Sequence, residues 1–262
     1  MSVSHSQSRS NLRRLALCAA GVCLGLVAGA QSRYETLVRV NPWNSGVNAA
    51  GMRQDSTSFS NAEIGGVYRS GDFRSLDDAA SEWAASARAR TVTHLEKFSM
   101  RGAFSFEDRE AYDACGSMMM GSGKFPVDVL EFTPGRKTYQ TYNMYGAISV
   151  DVTPRWRVGA GLDFTSRNAA KLKDLRYTGY ALDMRVAPSL MYCDGDFAAG
   201  VSAIYERNTE TVSAEQIGSA QNAPEAFFDE GLYLGNRQAW TGSGTRLSEP
   251  GVSGLPVVQD AL

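Results

Sequence analysis

Histidine is nearly missing from this chain: His5 and His94 are the two among 262 residues. Hydrolase triads and zinc sites need histidine or clustered cysteine. Of the four cysteines, Cys18 and Cys23 fall in a segment expected to be removed, and Cys115 and Cys193 lack metal-ligand spacing. His94 reads as a solvated turn residue with no serine or cysteine partner set nearby. No catalytic residue, metal ligand or cofactor is therefore assigned. A basic excess is missing as well: 26 Lys+Arg face 28 Asp+Glu, for a formal charge of −2. That leaves no electrostatic footprint for nucleic acid. No apolar run reaches the ~18–20 residues that a helical membrane span needs. Gly235-Asn236 and Gly242-Ser243-Gly244 lack the following lysine-serine or lysine-threonine pair and the strand-helix context of a phosphate loop.

What the sequence does contain is alternation of period two. Tyr142, Met144, Gly146, Ile148, Val150 and Val152 interleave with Thr141, Asn143, Tyr145, Ala147, Ser149 and Asp151. Thr153-Pro154-Arg155 turns the chain, and Trp156, Val158, Ala160, Leu162 and Phe164 resume the pattern. Thr178 to Tyr192 repeats it, Cys193-Asp194-Gly195-Asp196 turns again, and Phe197, Ala199, Val201, Ala203 and Tyr205 follow. Side chains on a strand alternate faces, so each segment carries one apolar and one small or polar face. Three earlier strands precede these: Ala62 to about Ser70, Glu82 to about Thr91, and Glu96 to Glu107. Alanine content leaves a helix open for the second of them. The fold class predicted is all-β, an antiparallel up-and-down meander of about seven strands.

The connections divide by parity. Those after strands two, four and six are short, near Thr93–Leu95, Thr153–Arg155 and Cys193–Asp196. Those after one, three, five and seven are longer: 71–80, 108–137, 167–177 and everything past Asn208. In a meander, alternate connections share one end of the sheet. Short turns at one end and long loops at the other is the asymmetry of outer-membrane barrels, whereas a Greek-key sandwich has no reason to sort loops this way. The predicted architecture is thus a partial transmembrane β-barrel with long outer loops. The competing reading is a soluble β-domain whose apolar face packs on itself.

Four regions follow. Residues 1–30 read as an export signal: Arg9, Arg13 and Arg14, an apolar core from Leu15 to Val27, and a small-residue cleavage site ending at Ala30. Its removal leaves 23 basic against 28 acidic residues. Residues 31–61 are irregular, with Pro42 and the Asn44-Ser45-Gly46 group, and are either a periplasmic lead-in or a plug reaching into the barrel. Residues 62–207 form the β-meander, and 208–262 read as a long loop and truncated C-terminal segment. Seven strands is an odd number, and single-chain bacterial barrels close with an even one. The chain is therefore expected to be the N-terminal part of a barrel, closing only with further strands.

The polar faces carry Glu63, Arg88, Arg90, Arg101, Glu107, Asp151, Arg157, Asp163, Asp183, Arg185 and Glu206. Either they line a lumen that selects solutes, or they pair across strands to fill a narrow interior, at roughly 0.2–1 kcal/mol per pair. Met118-Met119-Met120 is either an outer-loop contact or folds onto the rim. Arginine at Val150 or Leu162 is expected to impair insertion, and at Ser149 or Thr165 to be tolerated.

The stretches Asn41-Pro42-Trp43-Asn44-Ser45-Gly46-Val47-Asn48-Ala49-Ala50-Gly51 and Phe59-Ser60-Asn61-Ala62-Glu63-Ile64-Gly65-Gly66-Val67-Tyr68 resemble the lead-in and first strand of an uncharacterised family of Bacteroidota outer-membrane β-barrels. The resemblance implies location in the cell outer membrane and a barrel fold, without an assigned activity. The expected role is transport or surface structure rather than catalysis, with outer-membrane lipid as the surrounding medium. The alternative is a non-pore binding or assembly component that docks another envelope protein through its outer loops.

Overall fold

The computed structural model describes residues 47–72, 78–121, 124–172, 175–215, 223–231, 234–240 and 245–260. The expected export signal and residues 31–46 of the lead-in lie outside them. A 3-10 turn, Ala49–Gln54, precedes ten strands. They are β1 Phe59–Ser70, β2 Ser81–His94, β3 Phe98–Ser117, β4 Val127–Asp151, β5 Trp156–Lys171, β6 Arg176–Asp194, β7 Phe197–Glu215, β8 Glu225–Gly231, β9 Leu234–Ala239 and β10 Thr245–Asp260.

The sheet is an open antiparallel meander in the order β1-β2-β3-β4-β5-β6-β7-β10, with β8 paired to the start of β4 and β9 to β8. Among the described residues, β1 pairs only with β2, and β10 only with β7. The alanine-rich piece is strand β2, in full register with β1 and β3. Its outward Ala85, Ala87 and Ala89 alternate with inward Arg88 and Arg90, which a helix would have mixed on one surface.

Three expectations need correction. Residues 208–262 are not one long loop: β7 runs on to Glu215, and β8, β9 and β10 follow. The path has eight strands, in keeping with the expected meander of about seven. Pro250 and Pro256 are accommodated in β10: six residues apart puts both missing N–H groups on one edge, and an outermost strand has an edge that needs no donor. The region 108–137 is mostly strand, because β3 and β4 stay paired to Ser117↔Leu130. Its alternation is broken by register shifts between Ala111 and Gly116, with Asp113 and Gly116 at φ 56° and 86°. The connection expected over 167–177 spans only 172–175, since β5 and β6 pair up to Lys171↔Tyr177. The ends still differ at two connections: 95–97, 152–155 and 195–196 lie at one end, and 71–80 and 118–126 at the other together with 172–175, which is no longer than 152–155.

A proline also marks the sheet interior. Pro188 lies in β6, and the β6–β7 register passes from Val186↔Tyr205 to Ser189↔Ser202 without a pair at Pro188. Proline has no N–H for that ladder. Pairing on the other side, Pro188↔Ala160, is intact.

Candidate functional site: an apolar belt backed by a covered polar face

The two faces of the sheet have opposite chemistry and reversed burial. Outward along β3 to β7 stand Met100, Phe104, Met144, Ile148, Val158, Leu162, Leu182, Leu190 and Val201, each at least 38% exposed. The apolar belt on β4 runs from Tyr142 to Val152 and then ends. Beyond it, outward positions become Gln140, Thr138 and Arg136 on β4, Ser166 and Asn168 on β5, and Asp108 and Glu110 on β3. Ten residue steps at ~3.3 Å give ~33 Å along the strand, and a tilt of ~40° reduces that to ~25 Å, the height of the apolar band on an outer-membrane barrel. Aromatic pairs stand at its two limits. Trp156 meets Tyr192 edge-on at 5.0 Å near the short turns, and Phe106 meets Tyr142 at 4.8 Å toward the long loops.

The opposite face is polar and is covered toward its two ends, while Arg88 and Arg185 on it stay exposed. All eleven charged residues singled out above lie on it, and most are paired. Glu63 faces Arg88 at 3.6 Å and Arg90 at 3.9 Å. Asp151 joins Arg157 at 3.0 Å and Arg53 at 2.7 Å. Asp183 pairs with Arg167 and Lys124, and Arg185 with Glu206. Asp163 accepts a hydrogen bond from Asn143 Nδ2 at 2.8 Å. The Arg101 guanidinium sits 5.2 Å from the Tyr145 ring centre. Glu107 lines a cavity of about 300 Å³ with Arg109 and Arg167. A second cavity, about 270 Å³, is lined by Asp163, Asp183, Arg185, Glu206 and Lys124. Cross-strand pairing is thus the dominant use of these charges, and two polar cavities remain between them.

Each end of this face is closed by a segment of the same chain. At the short-turn end, one register row carries Ser99, Ser149, Gly159, Ser189 and Ser202 on β3 to β7. Small side chains leave a trough there, and residues 48–54 fill it. Ser149 Oγ donates to the Ala50 carbonyl at 3.1 Å, and the Ala50 N–H donates to Ser189 Oγ at 3.0 Å. A Cβ on Gly159 would come within 2.4 Å of Ala50 N, and one on Gly200 within 2.5 Å of Asn48 Nδ2. Arg53 completes the seat by donating to the Leu95 and Glu96 carbonyls at 3.0 and 2.8 Å. Residues 48–54 of the described lead-in thus lie against the inner face of β3 to β7. Ser149 is 0% exposed, so arginine there would displace Ala50, contrary to the tolerance expected of it.

At the other end, Met118–Met120 folds inward. Met118 and Met119 pack on Phe125, Val129, Ala169, Tyr177 and Val212, and the Met120 N–H donates to the Glu210 carboxylate. Above them, Glu131 lies between Lys137 at 2.9 Å and Lys171 at 2.7 Å, all at most 1% exposed. These lysines stand beyond the apolar belt. Burial pushes the Lys137 ammonium below the usual lysine range, opposed by Glu131.

His94 was expected to lack a serine partner, but its Nδ1 is 2.9 Å from Ser99 Oγ. The β2–β3 register closes that contact across the turn, His94↔Ser99. Arg53 lies over the pair, and Ser99 is 1% exposed, so no substrate reaches the hydroxyl in this arrangement. Cys115 and Cys193 are not joined by a disulfide and lie at opposite ends of the sheet. Sequence reasoning missed Asn48, Arg53, the serine row, Glu131, Lys137, Lys171 and Glu210. Their signal is small or charged inward residues at one level of neighbouring strands, which needs the register to be seen.

No helix among the described residues is long and apolar enough to cross a membrane, which says nothing of crossing by strands. No curated protein and no solved structure matches the chain. A family model matches residues 49–245, from the 3-10 turn to the start of β10, and the chain belongs to that family of unknown function, DUF6850.

Proposed function

We propose that this chain forms the wall of an outer-membrane β-barrel in a Gram-negative bacterium, exported by a cleaved signal ending near Ala30. Its role on this reading is transport or surface structure rather than catalysis. The observation that carries it is the reversal of the two faces. In water, folding buries the apolar face and leaves charges outside. Here Leu162 and Met144 are about half exposed while Glu131, Lys137 and Lys171 are covered. Lipid is the medium in which that arrangement is favourable, and the belt has a bilayer's height. Backbone edges are costly in lipid, so β1 and β10 require partner strands, from this protein or another copy.

A second reading has one observation in its favour. β3, β4, β7 and the β8–β9 hairpin continue beyond the belt with polar outward residues, a platform on which another envelope protein could dock without any pore. Fractionation separates the membrane readings from a soluble one. The expressed protein should remain in the outer-membrane fraction after an alkaline carbonate wash. Recovery in the soluble periplasm, with Leu162 covered by a protein partner, would end the barrel-wall account.

A further inference from the structure

The seat beneath residues 48–54 is largely polar. Lifting a segment off an apolar floor exposes that floor to water at a cost proportional to its area. This floor is mostly hydroxyls and ions, Ser99, Ser149, Ser189, Ser202, Asp151 and Arg157, and its apolar part is small: Ala147 and Tyr145, under Ala49 and Met52. Water satisfies those hydroxyls and ions as well as the segment does. The segment also sits with groups unsatisfied. Both the amide nitrogen and oxygen of buried Asn48 lack partners, as does Arg53 Nε. Against those deficits stand the two serine bonds to Ala50 and the Arg53 contacts to Asp151, Leu95 and Glu96. Arg53 also reaches Ser99, Gln54 reaches Cys193 Sγ, and Ala49 and Met52 pack on Ala147; the polar bonds are thus concentrated on one guanidinium.

We propose that residues 48–54 are a displaceable plug, latched by Arg53 on Asp151, whose departure opens a hydrophilic vestibule from the short-turn end toward the cavity at Asp163, Asp183, Arg185 and Glu206. Its occupants are small hydrophilic solutes, which the row of hydroxyls and paired charges can solvate. The Met118–Met120 segment closes the far end independently, so plug release by itself admits solute without creating a through-channel. The vestibule's role in uptake rests on the barrel-wall reading, whereas the docking of the plug does not.

The test is thiol accessibility at Ser149, which lies under Ala50. In a background with Cys115→Ala and Cys193→Ser, S149C is reacted with a small water-soluble methanethiosulfonate in outer-membrane preparations. A169C, under the opposite closure, serves as the control for general unfolding. The expected result is slow labelling of S149C, accelerated at least ~10-fold by Arg53→Ala, the effect of losing a charge-assisted hydrogen-bonded pair. Asp151→Asn should also accelerate it, and A169C should stay slow in both variants. Rapid labelling of S149C with Arg53 intact would overturn the proposal, as would an unchanged rate on removing Arg53. Equal acceleration at A169C would overturn the latch as well, because the substitution would then have loosened the whole fold. Carbonate extraction of the same preparations reports on the barrel wall separately, so the two ideas fail by different readouts.

Discussion

Replacing Leu162 by arginine distinguishes lipid from water on the outer face. Leu162 is 47% exposed, faces outward on β5, and is level with Gly146 on β4 and Val186 on β6, in the middle of the belt. If water lies outside, a charged residue at such a site changes stability by no more than about 0.5 kcal/mol in either direction. If lipid lies outside, arginine near the midplane costs about 2–4 kcal/mol. At 1.4 kcal/mol per tenfold, that lowers the folding equilibrium constant roughly 30- to 700-fold. Asn168, six residues further along the same face, lies beyond the belt, where the lipid penalty falls to about 0–1 kcal/mol. The assay is urea titration of the membrane-inserted protein in phospholipid vesicles, comparing wild type, L162R and N168R. A large loss for L162R with little for N168R is expected. Equal effects of the two would refute the depth argument, and two negligible effects would place water against the belt.

Other outcomes follow from the covered face. Gly159→Ala should lift residues 48–54 and speed tryptic cleavage after Arg53, while Gly146→Ala, with no atom within 4 Å of the added carbon, should leave cleavage unchanged. Glu131→Gln strands two buried ammonium groups and should cost about 3–5 kcal/mol by denaturant titration. Lys137→Met leaves Glu131 with Lys171 one to one and removes a group whose charging burial already disfavours, so it should be neutral or stabilising. For topology, in a background lacking Cys115 and Cys193, L172C should react with an impermeant thiol reagent on intact cells. D196C should react only after permeabilisation, and the reverse pattern would invert the orientation.

The strands were legible wherever the apolar belt runs, because there period two separates the faces, as Tyr142–Val152 and Trp156–Phe164 illustrate. Beyond the belt the outward face turns polar and the inward face mixes Tyr139, Tyr177 and Val212 with Glu131, Lys137 and Lys171, so the pattern vanishes although the strand continues. That is why 108–117 and 127–137 read as loop, with bulges near Asp113 and Gly116 adding phase shifts. β10 was hidden by Pro250 and Pro256, residues that an edge strand accepts. The charged face was legible residue by residue, but its partners depended on register. Nothing in the sequence alone aligns Ser99, Ser149, Ser189 and Ser202, which lie on four strands. The seat for Ala50 appears only once Ser99↔Ser149 and Ser189↔Ser202 are paired.

The most direct measurement on the central claim is a spin-label scan along β5, one position at a time from Trp156 to Asn168, in outer-membrane preparations. Collision rates with oxygen, which partitions into lipid, are compared with those of a water-soluble nickel complex. The account predicts oxygen maxima at Val158, Ala160, Leu162 and Phe164, with nickel low at these positions and rising beyond Ser166. Nickel maxima at those same even-numbered positions would put water against the belt and contradict it.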